Sequence, residues 1–130
     1  MAEIKQAVIA HLNNNADVFA TFANRITAEK VPDNQAYPNG RVWLVTSPRQ
    51  YHHGGQSGRK ATVQIDIYAE TQAEADDGAE EVMVSLSGYK GMLGDSVDAG
   101  YCFVNNISGT WNAEARNYHR ILEVEIGTND

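Results

Sequence analysis

Hydrophobic residues recur with helical spacing near the start of the chain. Ile4, Val8 and Leu12 are four residues apart, and Ala7 lies beside them on the same face. A repeat of this kind is typical of an amphipathic helix that packs one side against a core. The asparagines at positions 13–15 favour an end to that helix, because asparagine is a poor helix former that tolerates left-handed backbone geometry.

A second helical pattern begins at Thr71, directly after a segment with strand-like alternation. Thr71 and Glu74 have the spacing of a capping box, in which a hydroxyl and a carboxylate satisfy amides of the first turn. The smallest of its apolar residues come first, which would let the helix lie close to a sheet. The apolar residues are Ala75, Ala79, Val82, Met83 and Leu86. A shorter helical turn, capped by Asp17, is expected to carry Phe19 and Phe22 into the core.

Alternation of apolar and polar residues predicts the strands. The clearest case is Ala61 to Tyr68, where every second residue is apolar. The segments 101–107 and 118–126 alternate in the same way. Arg41 to Thr46 is rich in β-branched and aromatic residues and apolar on both faces, which predicts a central strand covered on both sides. A short edge strand is expected around residues 25–28.

Two segments rich in glycine and polar residues lie between these strands. Residues 48–58 and 108–117 are each predicted to form a long hairpin loop, and residues 89–100 an irregular connection. The predicted fold is therefore a single α+β domain spanning residues 1–130. It would have an antiparallel sheet of about four strands, with helices packed on one face and the two long hairpin loops.

The charge of the chain argues against some classes of partner. Ten basic and seventeen acidic residues among 130 give a formal net charge of −7, which does not suit bulk electrostatic binding of nucleic acid or of an anionic membrane. Cys102 is the only cysteine, so no disulfide within the chain is expected. The N-terminal segment has no long apolar run, and we expect neither a signal peptide nor a membrane span.

Candidate catalytic and metal-binding patterns are weak throughout the chain. His52 and His53 are adjacent, so in an extended segment their side chains point apart, and no HxH or HExxH spacing accompanies them. The acidic residues between Glu74 and Glu81 spread around a helix without a calcium-binding loop. Neither a metal nor a cofactor is expected. Trp111 lies in a polar segment, where it either anchors an interface or folds back against the sheet edge.

The order of these elements is that of a known family of structural proteins. The chain contains, in turn, EIKQAVIAHL, AYPNGRVWLV, ATVQIDIYAETQAEADDGAEEVMVSL and NYHRILEVEI. In this it resembles the small tail completion proteins of long-tailed bacteriophages, a family that includes tail-to-head joining proteins. The likeness spans nearly the whole chain, and its most specific part is the strand VQIDIYA running straight into the helix TQAEAD.

The resemblance implies structural work and no catalytic residues. Such a protein is expected to form a ring of its own copies, usually a hexamer, where the tail tube ends and meets the head. Its other expected partners are the tail tube and the connector proteins of the head and neck. DNA would pass through the ring without sequence-specific binding. The protein would be located in the virion, at the tail or neck, after assembly in the host cytoplasm.

The two hairpins are the expected contacts with these partners, and the strand-to-helix unit is the scaffold that positions them. The predicted interface residues are Arg49, Gln50, Tyr51, His52, His53, Arg59, Trp111 and Arg116. The arginines among them, together with Arg41, Lys60 and Arg120, are expected to pair with acidic patches on neighbouring subunits.

Other functions remain open at the level of the sequence. The chain could be a tail terminator or another ring protein of the neck. It could also be a cytoplasmic protein-binding module unrelated to phages, in which the same hairpins grip one partner. A third alternative is an enzyme with a dispersed site built from His52, His53 or His119 with Glu123 or Asp66. A pocket that holds at least two of these groups would distinguish the enzyme.

Overall fold

The computed structural model describes residues 2–23, 25–28, 36–46, 49–52, 55–94, 97–112 and 117–128. The described helices are α1 (Ala2–Asn14), α2 (Ala16–Phe22) and α3 (Gln72–Leu86). The described strands are β1 (Ile26–Ala28), β2 (Asn39–Thr46), β3 (Arg49–His52), β4 (Gly55–Ala69), β5 (Gly91–Leu93), β6 (Val97–Asn112) and β7 (Asn117–Thr128). None of these helices is long and apolar enough to cross a membrane.

All seven strands belong to one sheet. Its order is β1-β2-β4-β7-β6-β5, and β3 pairs with β4 beyond the end of β2. The described pairs are antiparallel except for β1 with β2, which is parallel. The prediction of about four strands is wrong, because β1, β3 and β5 are only three or four residues long and too short for alternation to be evident. The edge strand expected around residues 25–28 is confirmed as β1.

Both segments predicted to be long loops are largely paired strands. β3 pairs with the start of β4 as far as His52 and Gly55, and β6 pairs with β7 as far as Asn112 and Asn117. The segment 89–100, predicted to be irregular, contains β5 and the start of β6. Glycine and polar residues indicated loops, but a neighbouring strand supplies main-chain hydrogen bonds that do not depend on side-chain type.

The helices cover one face of the sheet. Alternate residues of β4 and β7 point to that face and are fully buried, and apolar residues of α1 and α3 complete the same core. The strand residues of this core include Ala61, Val63, Ile65, Ile67, Leu122, Val124 and Ile126. The stripe predicted from Ile4, Val8 and Leu12 is confirmed, since all three are buried. The opposite face of the sheet has no helix packed on it among the described residues, and we call it the uncovered face.

α3 approaches the sheet closely at Gly78. A Cβ atom placed on Gly78 would lie 2.8 Å from Cζ of Phe22 and 3.4 Å from Cγ2 of Ile67. A larger residue would therefore push the helix outward or displace the phenyl ring. The sequence predicts the close approach from Ala75 and Ala79, and the structure adds Gly78, where a Cβ atom would collide with Phe22.

The turn from β4 into α3 is capped nearly as the sequence predicts. The amide of Glu74 donates to Oγ1 of Thr71 at 3.1 Å. The carboxylate of Glu74 accepts from the amide of Glu70 at 3.4 Å, one residue before the cap amide that the capping-box pattern indicates. Glu70 and Thr71 alone separate strand from helix, so the two elements form a continuous unit.

The short helix α2 differs from its prediction in its cap and in one phenylalanine. Its N-cap is Asn15, whose side-chain oxygen accepts from the amides of Asp17 and Val18. Phe22 is buried as expected, but Phe19 is 48% exposed. Val18 takes the core position instead, because it lies four residues before Phe22 on the same side of the helix.

β2 is covered on one face and not on both. Val42 is fully buried, whereas Val45 is 51% exposed. The apolar run from Arg41 to Thr46 indicated a strand between two layers, but the helices that the structure describes all pack on one face of the sheet. β2 is also the second strand from the edge, and β1 covers only part of its length.

Candidate functional site

Two hairpins extend from opposite ends of the sheet. At the N-terminal end of β4 the strand pairs with β3, as far as the pair of His52 with Gly55. The β6–β7 hairpin continues beyond Tyr118, which is paired with Ala69, to the pair of Asn112 with Asn117. Because β4 and β7 are antiparallel neighbours, these two extensions leave the sheet in opposite directions.

The predicted interface residues divide between the two hairpins. The first hairpin carries Arg49, Gln50, Tyr51 and His52 on β3 and Arg59 on β4, and the second carries Trp111 on β6. The register pairs Arg49 with Arg59 and Trp111 with Tyr118. His53 and Arg116 lie outside the residues that the structure describes. The predicted set is therefore two groups at opposite ends of the sheet, and the role of each residue stays a prediction.

The outer edges of β6 and β2 are open over much of their length. β5 pairs with β6 only along residues 97–99, and the amide of Gly88 donates to the carbonyl of Cys102. From Phe103 to Asn112, no other described strand pairs with the outer edge of β6. On the opposite side of the sheet, β1 pairs with β2 only along residues 40–42.

Exposed apolar side chains accompany these edges, and sequence reasoning missed them. Phe103 is 57% exposed and Ile107 43% exposed on β6, and Val45 is 51% exposed on β2. The sequence held a signal for them, since residues 99–113 and 42–47 contain no charged residue in a chain that is 21% charged. Edge strands are ordinarily protected from pairing by charged side chains, so uncharged edges of this length indicate contact surfaces.

The uncovered face carries a polar cluster centred on one carboxylate. The members of this Asp66 cluster are Arg41, Trp43, Gln64, Asp66, Tyr68 and His119. Asp66 is only 4% exposed. Its carboxylate accepts from Nε1 of Trp43 and from Nε2 of Gln64, both at 2.8 Å. Nε2 of His119 lies 3.5 Å from Oδ1 of the same carboxylate.

Flat side chains shield this carboxylate from solvent. The rings of Tyr68 and His119 stack with centroids 4.5 Å apart and planes 12° from parallel. The guanidinium of Arg41 lies 5.6 Å from the ring centre of Trp43 and 4.7 Å from that of Tyr68, and it donates to the tyrosine hydroxyl. These contacts join β2, β4 and β7, so the cluster fastens three neighbouring strands to one another.

The cluster keeps the Asp66 carboxylate charged. Burial by itself raises the pKa of Asp66, because it disfavours the charged form. Hydrogen bonding and charge from His119, with hydrogen bonds from Gln64 and Trp43, outweigh burial, and the pKa of Asp66 lies below its ordinary value of 3.8. A general acid or base for neutral pH needs a pKa moved the other way, so the cluster is suited to holding strands together.

The dispersed catalytic site considered as an alternative is only partly assembled. His119 and Asp66 are adjacent, but both oxygens of Asp66 already accept hydrogen bonds. A cavity of about 350 Å³ lies elsewhere, between α2 and α3. It is lined by Asn15, Asp17, Asp77, Glu80, Glu81, Val84 and Ser85. Within the described ranges, no three His, Cys, Asp or Glu side chains are grouped so as to hold a metal ion.

Lys60 and Arg120, like Arg41 in the Asp66 cluster, were expected to contact neighbouring subunits but have partners within the chain. Nζ of Lys60 lies 3.3 Å from Oε1 of Glu125. Nε of Arg120 donates to Oδ1 of Asp76 at 2.7 Å, which ties β7 to the N-terminal half of α3. Contacts of Arg49 and Arg59 with a neighbouring subunit stay a prediction.

Comparison with protein-family models decides the family of the chain. The model described as tail completion protein gp17 matches residues 6–129, nearly the whole sequence. The chain belongs to this family. It is therefore a structural protein of a virion, located at the tail or neck, as the resemblance in the sequence implied. No curated protein matches this tail completion protein.

A solved structure has the same fold as this tail completion protein. A chain described as part of the virion of a native gene transfer agent particle matches it with a TM-score of 0.74 and 15% sequence identity. The match covers 98% of this chain and 95% of that chain. At this level of identity the likeness concerns the fold, and it extends over nearly all of both chains.

Proposed function

We propose that this tail completion protein forms a ring around the DNA channel at the end of the tail and joins the tail to the neck of the head. The observation that carries the proposal is the direction of the two hairpins. The tips of the β3–β4 hairpin and the β6–β7 hairpin lie at opposite ends of the sheet. A joining protein must contact two layers, and in a ring whose strands run roughly along the axis each hairpin faces one of them.

The negative charge of the chain suits a channel through which DNA passes without being held. A net charge of −7 per subunit, repeated around an axis, repels phosphates and so favours passage over retention. Glu123 and Glu125 lie on the uncovered face, which the helices leave free to line a channel. The ring is proposed with six copies, as is usual for the family that the sequence resembles.

The proposed work is structural and not catalytic. Asp66 and His119 are the best-assembled pair of the alternative enzyme, but both oxygens of the Asp66 carboxylate already accept hydrogen bonds from Trp43 and Gln64. The cavity between α2 and α3 contains neither of them. We therefore assign the cluster to the stability of the sheet and the hairpins to partner contacts.

Loss of the gene tests the joining role directly. Negative-stain electron microscopy of lysate from a phage that lacks the gene should show filled heads and free tails of normal length. Abnormally long tubes would indicate termination of tube growth instead. Normal infectious particles would contradict any role in tail completion.

Separate changes in the two hairpins test whether each contacts a different layer. Arg49→Glu with Arg59→Glu alters the first hairpin, and Trp111→Ser alters the second. We expect one variant to lose the protein from isolated tails and the other to leave it on tails that no longer join heads. Lys90→Glu, a charge reversal at an exposed position outside both hairpins, should join normally. The same defect in both hairpin variants would contradict the assignment of one hairpin to each layer.

A further inference from the structure

The two open edges of the sheet run in opposite directions. β2 is antiparallel to β4, β4 to β7, and β7 to β6, so β2 and β6 point opposite ways at the two sides of the sheet. A second copy rotated about a ring axis and placed beside β6 would therefore present its β2 antiparallel to β6. The helix-covered faces of both copies would lie on the same side, as one continuous sheet requires.

Both edges have few of the charged side chains that usually protect edge strands. The open edge of β6, residues 103–112, contains no charged residue and exposes Phe103 and Ile107. The opposite open edge consists of residues 43–46 of β2, which expose Val45, and of β3, whose one charged residue is Arg49. A bulge between Val104 and Asn106 interrupts the β6 edge, and regular pairing with β7 resumes from there to Asn112. The β2–β3 edge has similar irregularities between Leu44 and Thr46 and between Arg49 and Tyr51.

We propose that copies of this chain join by antiparallel pairing of the open β6 edge of one copy with the open β2–β3 edge of the next. The inference rests on the ring of the proposed function and adds the contact that builds it. Repeated around the axis, this pairing makes one closed sheet and leaves no exposed edge, which is how closed barrels avoid uncontrolled strand addition. Main-chain hydrogen bonds would provide the adhesion, and Phe103, Ile107 and Val45 would be buried by it.

The register of the sheet places the two open edges at different heights along the strands. The β2–β3 edge faces residues 55–64 of β4, from the pair of His52 with Gly55 to that of Trp43 with Gln64. β7 lies between β4 and β6 and pairs with both. Phe103, where the open β6 edge begins, pairs with Glu125, which also pairs with Thr62, so the edge is level with β4 residues from 62 onward. The two edges are thus displaced by roughly six residues along the strand direction.

A closed sheet of tilted strands requires a displacement of this size. Each copy contributes four strand spacings to the repeat, from β2 across β4, β7 and β6 to the β2 of the next copy. With strands ~4.8 Å apart and tilted by about 40°, four spacings produce a stagger of roughly 16 Å, or about five residues. The amount of stagger that closure demands therefore agrees with the displacement of the open edges.

The same displacement keeps the two short edge strands out of the contact. β1 is level with residues 65–67 of β4, and after a shift of roughly six residues it would lie beyond the end of the neighbouring β6. β5 pairs with residues 97–99 of β6 and would lie beyond the tip of the neighbouring β3. Each short strand covers the part of its edge that the neighbour does not reach.

Cysteine crosslinking in assembled rings tests this contact and its register. The displacement predicts that position 107 of one copy lies near position 49 of the next, and position 111 near position 44. We expect a disulfide-linked dimer from an equal mixture of Ile107→Cys with Arg49→Cys, and from Trp111→Cys with Leu44→Cys. Neither member of a pair should crosslink alone. The native Cys102 does not interfere, because it is 1% exposed and burial raises its pKa to about 11.

The pattern of crosslinks separates the possible partners of the β6 edge. Dimers from Ile107→Cys alone would mean that two β6 edges pair with each other, which contradicts the proposal. Crosslinks to a tube or neck protein would assign the edge to another chain and contradict it as well. If electron microscopy shows rings and none of the cysteine pairs reacts, the edge contact is wrong while the ring of the proposed function stands.

A charge on the open edge provides a second test that does not depend on register. Ile107→Lys should abolish ring formation and leave the melting temperature of the monomer unchanged, because the side chain is 43% exposed in the single chain. Val84→Lys on α3, where the side chain is 68% exposed, is the matched control and should form rings. Rings from both variants would overturn the edge pairing. If neither the native protein nor the variants form rings, and a phage that lacks the gene is normal, the proposed function itself would be overturned.

Discussion

Along β4 and β7, successive residues point to opposite faces of one sheet, and the two faces are stabilised in different ways. On the covered face, Ile65 and Val124 are buried against helices that the chain supplies for that purpose. On the uncovered face, Asp66 is almost as deeply buried, but by side chains of its own sheet. The first face depends on close packing of apolar groups, and the second on complete pairing of one charge.

The difference between the two faces indicates where this protein can accept a partner. The apolar face is already buried under the helices of the chain. Both oxygens of the Asp66 carboxylate already accept hydrogen bonds. What stays available is the margin of the sheet, where edges and hairpins contribute little to the core. Substitutions should therefore fall into distinct classes of effect on the free energy of unfolding, and the size of each effect reports which surface was changed.

Removal of a phenyl ring from the hydrophobic core should have the largest effect on stability. Phe22→Ala is expected to lower the free energy of unfolding by about 3 to 5 kcal/mol, because the ring is fully buried against Gly78 and leaves a cavity. Phe19→Ala, in the same helix, removes the same ring from a site that is 48% exposed and should cost far less. Urea denaturation of both variants measures the difference. Equal losses would show that α2 is not fixed by its buried side.

Removal of the charge on the uncovered face should come next. Asp66→Asn is expected to lower the free energy of unfolding at neutral pH by about 1.5 to 3 kcal/mol, because charged acceptors make the stronger hydrogen bonds and buried donors would be left weakly paired. Glu123→Gln changes a carboxylate of the same face that is only half-buried, and it should have little effect. Denaturation at neutral pH checks both.

The pH dependence of that loss has a definite sign. The pKa of Asp66 is lower in the folded chain than in the unfolded one, so its charge adds stability above the unfolded pKa of about 3.9. This stability is lost as the pH falls through the folded pKa. The difference between native protein and Asp66→Asn should therefore be full at neutral pH and shrink as the pH drops below about 4. A difference that grew on acidification would contradict the assignment.

A smaller change to the Asp66 cluster tests whether the hydrogen bond or the area of the aromatic ring contributes more to stability. Trp43→Phe keeps an aromatic ring under Arg41 but removes the donor to Asp66, and it should cost about 1 to 2 kcal/mol. It should also raise the pKa of Asp66, which NMR titration of the carboxyl carbon would detect. Tyr101→Phe removes a hydroxyl that donates to Glu125 near the solvent-exposed margin, and its effect should be smaller. Equal losses of free energy of unfolding would mean that the hydrogen bond to Asp66 stabilises the fold no more than the one to Glu125 does.

Sequence reasoning succeeded where a long segment repeats one period. α1, α3 and the strand from Ala61 to Tyr68 were predicted from such repeats, since each places its apolar residues on one buried face. It failed for β3 and β5, because strands of three or four residues show no period and are held by their neighbours, whereas β1 was expected as a short edge strand. The hairpins were located correctly but described as loops, since main-chain pairing leaves no compositional trace.

The candidate site was predictable only in part for a related reason. The Asp66 cluster combines Trp43, Asp66 and His119, which come from three strands and meet only after the sheet has formed. Nothing in the local sequence around any one of them indicates the other two. The open edges are different, because the uncharged runs at 42–47 and 99–113 are visible in the sequence and acquire meaning once strand order is known.

The smallest expected effect belongs to the open edge. Phe103→Ser removes an aromatic side chain from a site that is 57% exposed, so the free energy of unfolding of the single chain should change by no more than about 0.5 kcal/mol. Phe103→Ser and Phe22→Ala each remove a phenylalanine ring, one from an exposed site and the other from a fully buried one. A loss of several kcal/mol in dilute protein would mean that Phe103 is already buried in the single chain. A loss that appears only at concentrations where copies associate would mean that Phe103 is retained for contact between chains, since stability would then depend on protein concentration.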